Sequence, residues 1–311
     1  MRWLCAVLFV TSACISPLGS SWMCSPATRP VHPAATDASY AHVQRLACHN
    51  CYERQYAPSL AAALDHTRNI EIDFYDQDNA LAFGASRPGA WYVRHGLTGG
   101  NHNNCTVRDG RNDLRACLLD VAAWCEDHPG HEVVTIFLDK KQGWGPGRMP
   151  ADLDALLDET LGERLYRPGE LRGAHPTLRR AARAGAWPRI DGLRGRVLAV
   201  MTGGTLIGLG GNRGQCRYVE ARGGDARMFV APDILDRDDI RGVPHEFTEA
   251  AAESVVFLNL PARKAALAAE AAPFHYVSRV WGTESGHLGW SQLIATRVNL
   301  VALFDIGLTP P

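Results

Sequence analysis

The stretch Asn69-Ile70-Glu71-Ile72-Asp73-Phe74-Tyr75-Asp76 reads as a buried strand interrupted by acids. Ile70, Ile72 and Phe74 are apolar and β-prone. Side chains on a strand alternate sides, so Glu71 and Asp73 share the other face. Two carboxylates side by side in an apolar setting repel each other and are costly to desolvate. A divalent cation removes both costs. The stretch therefore predicts a covered strand with one ligand-bearing face.

Working outward, short apolar segments recur along the chain. Strands are expected over 44–48, 70–74, 91–94, 133–138, 197–201, 228–231, 255–260, 276–281 and 300–304. Helical patterns fall between many of them, over 59–66, 112–127, 151–161, 178–184, 262–272 and 289–296. Alternating strand and helix, with strands too apolar to face water, is the pattern of a parallel sheet covered by helices. About eight or nine strands are enough to close a (β/α)8 barrel. An open doubly wound sheet has less support, because no Gly-x-Gly-x-x-Gly follows the first strand. The length of 311 residues suits one large α/β domain.

The net charge of −1 offers no basic excess for a phosphate backbone, so a nucleic-acid partner is not expected. The N-terminus, Met1-Arg2-Trp3 followed by an apolar run from Leu4 to Val10 and small residues Thr11-Ser12-Ala13, reads as a secretory signal. It is too short to span a bilayer. The expected organisation is a signal over 1–20, a loose Ser/Pro/Ala-rich leader over 21–38 and one domain over 39–311. The expected location is secreted or periplasmic. Ala13-Cys14 faintly resembles a lipoprotein cleavage site, but Thr11 stands where a large aliphatic residue is usual, so a lipid anchor is the lesser reading.

Beyond the signal lie Cys24, Cys48, Cys51, Cys105, Cys117, Cys125 and Cys216, an odd number in an exported chain where disulfides form. Cys48-His49-Asn50-Cys51 has redox-motif spacing without a thioredoxin-like context. A disulfide holding the loop that carries His49 is the expected role. Zinc is disfavoured, because no second close Cys/His pair has ligand spacing.

Active-site groups of such barrels sit at the carboxyl ends of the strands. His49 and Asn50 follow the first expected strand, Glu71 and Asp73 lie on the second, His95 follows the third, and Asp139 ends the next. Asn50, Glu71, Asp73 and Asp139 are hard oxygen ligands that suit Ca2+ and could serve Mg2+. Two histidines flanking a metal-bound phosphate suit proton transfer, one at the attacking hydroxyl and one at the leaving alkoxide. Lys141 and Arg279 are candidate phosphate partners. Plainer readings compete with each. Glu71 and Asp73 could pair with Arg68 or Arg94, Asp139 could cap a turn, and Lys141 and Arg279 could be structural charges. Trp91, Tyr92 and Trp144, near the proposed loops, would favour a lipid surface.

These residues also carry a resemblance. Leu46-Ala47-Cys48-His49-Asn50-Cys51-Tyr52, Ile70-Glu71-Ile72-Asp73 and Val93-Arg94-His95-Gly96 resemble the His-Asn, Glu-x-Asp and His elements of phosphoinositide-specific phospholipase C. Thr177-Leu178 with Gly185-Ala186-Trp187-Pro188, Leu193 to Leu198, Ile136 to Lys140, and Val277-Ser278-Arg279 are similar to its secreted, bacterial-type Ca2+-dependent branch. The resemblance implies a distorted TIM barrel, and a monomer is expected. His49 would contact the phosphate and support attack by the inositol 2-hydroxyl. His95 would be the general acid. Asn50, Glu71, Asp73 and Asp139 would hold the metal. The implied products are diacylglycerol and an inositol phosphate, made in transient contact with a membrane surface.

Five departures from the family pattern stand out. Cys48 and Cys51 replace Thr and Ser, and Asp139 replaces the more usual Glu. Arg279 is followed by Val280-Trp281-Gly282 rather than an acid. No clear lysine pair is present to read ring phosphates, which favours unphosphorylated phosphatidylinositol. The alternative within the superfamily is a glycerophosphodiester phosphodiesterase or a phospholipase D-like enzyme.

Overall fold

The computed structural model describes residues 37–76, 89–96, 103–105, 113–203, 211–282, 293, 295–304 and 306–308. The expected signal and most of the leader lie outside these residues, as does much of the helix expected over 289–296.

Among the described residues, nine strands form one sheet. They are β1 (Arg45–Cys48), β2 (Asn69–Tyr75), β3 (Tyr92–Val93), β4 (Val134–Lys140), β5 (Val197–Thr202), β6 (Phe229–Val230), β7 (Phe257–Pro261), β8 (Val277–Trp281) and β9 (Leu300–Leu303). The order β6-β5-β4-β2-β1-β9-β8-β7 is a run of parallel neighbours. The two ends of the run meet at Asp233 and Asn259. There Asn259 N donates to Pro232 O at 2.9 Å, and Ile234 N donates to Asn259 O at 3.1 Å. The result is a nearly closed eight-stranded parallel barrel, as expected.

The helices are α1 (Leu60–His66), α2 (Asp113–Asp127), α3 (Pro150–Thr160), α4 (Pro168–Arg172), α5 (Leu178–Arg183), α6 (Gly211–Arg222), α7 (Arg237–Arg241), α8 (Glu249–Ala252) and α9 (Ala268–Ala271). Local chemistry sets several starts. Ser59 Oγ accepts from Ala62 N ahead of α1, and Thr177 caps α5 by accepting from Arg180 N. Pro150 opens α3, where its missing N–H costs nothing. The segment read as one helix over 262–272 is a 3-10 turn (Ala262–Leu267) running into the short α9.

One strand corrects the sequence reading. Tyr92–Val93 is not the third barrel strand. It pairs antiparallel on β2, Phe74 with Val93 and Tyr75 with Tyr92, and β4 takes the place beside β2. The reason is topological. A parallel neighbour needs a helical crossover, and residues 76–90 carry no helical pattern to supply one. His95 therefore follows a strand laid on the barrel, not one of its staves.

The amino ends of the strands are plugged by aromatic side chains. Trp187, from the Gly185-to-Pro188 segment, packs on Tyr40, Phe229 and Phe257, with ring centroids 5.3, 5.7 and 5.5 Å away. Tyr40 Oη pairs with Thr135 Oγ1 at 2.7 Å inside the barrel. That end is sealed by apolar packing, which leaves the carboxyl ends for chemistry. Trp91 and Trp144 are buried, so they form no lipid-facing rim. Trp144 donates its Nε1–H to Gly214 O at 2.8 Å.

Candidate active site

Strand alternation and register build the centre of the site. On β2, Ile70, Ile72 and Phe74 pack in the core, while Glu71 and Asp73 take the other face, each only 1% exposed. Asp73 is in register with Asp139 on β4, and Asp139 with Thr202 on β5. Neighbouring strands lie about 4.8 Å apart, so in-register side chains on one face are forced together. One carboxylate oxygen each from Glu71, Asp73 and Asp139 lies within 4.8 Å of the others.

Cationic side chains surround this cluster. Lys141 Nζ lies 2.7 Å from Asp139 Oδ2 and 3.0 Å from Asp73 Oδ2. Arg279, 2% exposed, places Nη2 2.8 Å from Glu71 Oε1 and donates Nη1–H to Asn259 Oδ1 at 2.8 Å. The competing pairing of Glu71 and Asp73 with Arg68 or Arg94 is not what forms. Lys140 points elsewhere, to Asp76 at 2.8 Å and Gly143 O at 3.0 Å.

Electrostatics follow from burial. Desolvation pushes the Asp73 carboxyl well above the usual carboxylate range. Lys141 opposes that shift, and Asp139 and Glu71 reinforce it. Burial alone would lower the Lys141 ammonium, yet Asp139, Asp73 and Glu71 together hold it well above its ordinary value. The phenol of Tyr52, fully buried, is pushed up by desolvation and by the charges of Asp73, Glu53, Glu71 and Asp139.

His49 stands at the end of β1. Its N–H donates to Leu303 O at 2.8 Å, which sets it beside Phe304 at the end of β9. The two rings stack, centroids 4.2 Å apart at 10°, and Tyr56 stacks on the far side of Phe304 at 4.8 Å. His49 Nε2 lies 3.3 Å from Glu71 Oε2. Asn50 follows with φ at +60°, a left-handed conformation that Asn tolerates better than most residues. The expected disulfide joins Cys48 to Cys51 around this pair, and a second joins Cys105 to Cys117. Cys125 and Cys216 are buried free thiols.

The structure thus gathers His49, Glu71, Asp73, Asp139, Lys141 and Arg279. Asn50 is adjacent in the chain and buried, and its side-chain amide makes no hydrogen bond. His95 stands apart in kind. Its side chain is exposed, and its carbonyl accepts from Tyr75 Oη at 3.0 Å.

Whether the residues fit a divalent cation can be judged from their unsatisfied atoms. Buried polar atoms nearly always have hydrogen-bond partners. Here Asn50 Oδ1, Tyr52 Oη and Asp73 Oδ1 have none, while Asp73 Oδ2 faces Lys141 Nζ and Glu71 Oε2 faces His49 Nε2. Three buried carboxylates, an amide oxygen without a partner and oxygen donors throughout make a hard-cation set, and they fit Ca2+.

Two participants escaped the sequence reading. Asn259 lies in register with Arg279 and donates Nδ2–H to Asp233 Oδ1 at 2.7 Å, so Asp233, Asn259, Arg279 and Glu71 form a chain of contacts across the barrel mouth. A polar residue inside Phe257-Leu258-Asn259-Leu260 was the available signal, the same one that exposed Glu71. Burial raises the Asp233 carboxyl from 3.8 to about 6, against the Asn259 hydrogen bond and with help from Asp139.

A raised carboxylate stabilises the fold fully below its unfolded pKa, and that contribution is lost as pH rises through the folded one. Metal-free protein is therefore expected to lose up to about 3 kcal/mol from Asp233 between about pH 4 and pH 7. Asp233→Asn should remove that slope in urea denaturation. An unchanged slope would mean that Asp233 ionises normally.

Residues 103–206 match the family described as phosphoinositide phospholipase C, Ca2+-dependent. Among solved structures, a calcium-dependent phosphoinositol-specific phospholipase C from the Gram-negative bacterium Pseudomonas sp. is similar at a TM-score of 0.81 and 32% identity, covering 90% of this chain and 95% of that one. A structure of the Pseudomonas sp. enzyme described as a myoinositol complex gives 0.80 and 32%, with coverages of 89% and 94%. A Ca2+-dependent phosphatidylinositol-specific phospholipase C from Streptomyces antibioticus gives 0.71 at 23% identity, covering 86% and 95%, a likeness of fold alone. No curated protein matches the chain.

Proposed function

Since the chain belongs to the family of Ca2+-dependent phosphoinositide-specific phospholipases C, and is by that membership a phosphoric diester hydrolase, we propose that it cleaves phosphatidylinositol to diacylglycerol and an inositol phosphate. The observation that carries this reading is the convergence of Glu71, Asp73 and Asp139 with His49 at the carboxyl mouth of the barrel.

In this reading Glu71, Asp73 and Asp139, with Asn50, hold Ca2+. Held by these residues, a divalent cation would supply charge neutralisation at the phosphoryl oxygens and a lowered pKa for the attacking hydroxyl. His49 lies against a phosphoryl oxygen and supports proton removal from the inositol 2-hydroxyl, its ring plane set by Phe304. That oxygen bonds to phosphorus as the bond to the glycerol oxygen breaks. His95 gives a proton to the departing alkoxide. Arg279 keeps Glu71 in place, itself held by Asn259. Lys141 and Arg279 add positive charge around the phosphate.

The apolar run from Leu4 to Val10 supports export, and no described helix is long and apolar enough to cross a membrane. The protein would act as a secreted or periplasmic monomer that touches lipid transiently.

The test is phosphodiester cleavage on phosphatidylinositol vesicles, with Ca2+ and with chelator. Release of diacylglycerol that chelator abolishes is the expected result. Turnover of soluble glycerophosphoinositol alone would move the substrate class. Turnover of no diester by folded protein would refute the reading.

A further inference from the structure

The ammonium of Lys141 occupies an unusual position. A substrate-binding lysine would be expected to present its charge to the pocket. Instead Nζ lies 3.0 Å from Asp73 Oδ2 and 2.7 Å from Asp139 Oδ2, between two of the three carboxylates that would hold the cation. The placement follows from the strand. Lys141 is two residues beyond Asp139, so both side chains leave the backbone on the same side. Its backbone N–H is tied to Phe74 O at 3.1 Å, which anchors the stem between β2 and β4.

Ca2+ binds oxygen at 2.3–2.6 Å. A calcium ion taking oxygens from Asp73 and Asp139 would enter the gap the ammonium already fills. Two positive charges cannot share that gap without strong repulsion, since even at 4 Å like charges in a partly buried site repel by several times thermal energy. The Lys141 head must therefore leave as the cation enters. It has a route, because its side chain is 14% exposed whereas that of Asp73 is 1% exposed.

We propose that Lys141 is a built-in counter-ion of the cation site, competing with the divalent cation for Asp73 and Asp139 and so weakening its binding. This inference rests on the metal-site reading above. In the metal-free protein the lysine compensates carboxylates that would otherwise be buried together without a counter-charge, which keeps the barrel mouth formed before the cation arrives. On metal entry the same side chain is released toward the pocket, where a phosphate would sit. The exchange makes cation affinity a property of Lys141 as well as of the ligands.

The experiment is calorimetric titration of CaCl2 into chelator-treated protein, comparing wild type, Lys141→Met, Lys141→Arg and Asp139→Asn, with thermal melting of each variant with and without Ca2+. Lys141→Met is expected to bind Ca2+ at least tenfold more tightly than wild type. Its metal-free form should melt lower, and its Ca2+-induced rise in melting temperature should be larger. Lys141→Arg, which keeps the charge, should not show the gain.

Binding by Lys141→Met but not by wild type would be the same competition at its strongest. Equal or weaker binding by Lys141→Met, with Asp139→Asn abolishing binding, would overturn the counter-ion role while leaving the metal site intact. Failure of wild type, Lys141→Met and Lys141→Arg alike to bind Ca2+ would overturn the metal-site reading and the inference with it. Should Lys141→Met fail to fold without metal, Lys141→Gln keeps a polar head without the charge and carries the same expectation.

Discussion

Replacing His49 with Ala is expected to lower kcat on phosphatidylinositol by about 10²- to 10⁴-fold, the range over which a positioned acid or base contributes. The expectation rests on position. The His49 backbone is held by its N–H on Leu303 O, and the ring by the stack on Phe304 and by Nε2 facing Glu71. A side chain held in this way spends little entropy when it meets the transition state. Its exposure of 14% leaves it within reach of a substrate at the mouth. Vesicle turnover at saturating Ca2+ measures the loss, and Ca2+ titration of the same variant separates causes. Retained Ca2+ binding with lost kcat marks a proton-transfer role. Parallel loss of both would instead make His49 a support for Glu71. A variant within a factor of a few of wild type would remove His49 from the chemistry.

Asp73→Asn carries the second large effect. Asp73 is the most enclosed of the carboxylates whose ionisation is disfavoured, with burial pushing it well up and Lys141 pulling it back. Each unit of cation charge facing the carboxylate is worth about 4 kcal/mol at an effective dielectric of about 20 and 4 Å, so a divalent cation loses about 8 kcal/mol of attraction, and Ca2+ affinity should fall by at least about a thousandfold. Ca2+-dependent activity should fall with it.

Stability should move the other way. A carboxyl raised in the folded state contributes stability below its unfolded pKa and loses it as pH rises through the folded one. Metal-free Asp73→Asn is therefore expected to be at least as stable as metal-free wild type at neutral pH, and it should gain little from added Ca2+. Calorimetric titration and urea denaturation together check this. A variant that is strongly destabilised and still binds Ca2+ would make Asp73 a structural residue paired with Lys141.

The elements most readily read from the chain were those whose chemistry is local. The strand at 69–76 announced itself through Ile70, Ile72 and Phe74 alternating with Glu71 and Asp73, and it forms as β2. The loop of His49 and Asn50 was marked by Cys48 and Cys51, which do pair. Asp139 was visible as an acid closing an apolar run, and the register of β4 on β2 carries it to Asp73. Tyr92–Val93 was misplaced because two residues state no direction. Only the missing crossover between β2 and β3 hinted at an antiparallel return.

Sequence alone determined that the chain forms short covered strands alternating with helices, and which of those strands bear acids. Both follow from periodicity, which is set by backbone geometry one residue at a time. Tertiary structure alone decided the partners. Arg279 on β8 reaches Glu71 on β2 only because the barrel curls β1 and β9 between them into a closed wall. Asn259 and Asp233 join the site only where that wall closes. Lys141, read from the chain as a hand for phosphate, rests on Asp73 and Asp139 because a buried ammonium goes to the nearest compensating charge. Distances across a barrel mouth are fixed by closure, and no pattern of neighbours along the chain encodes them.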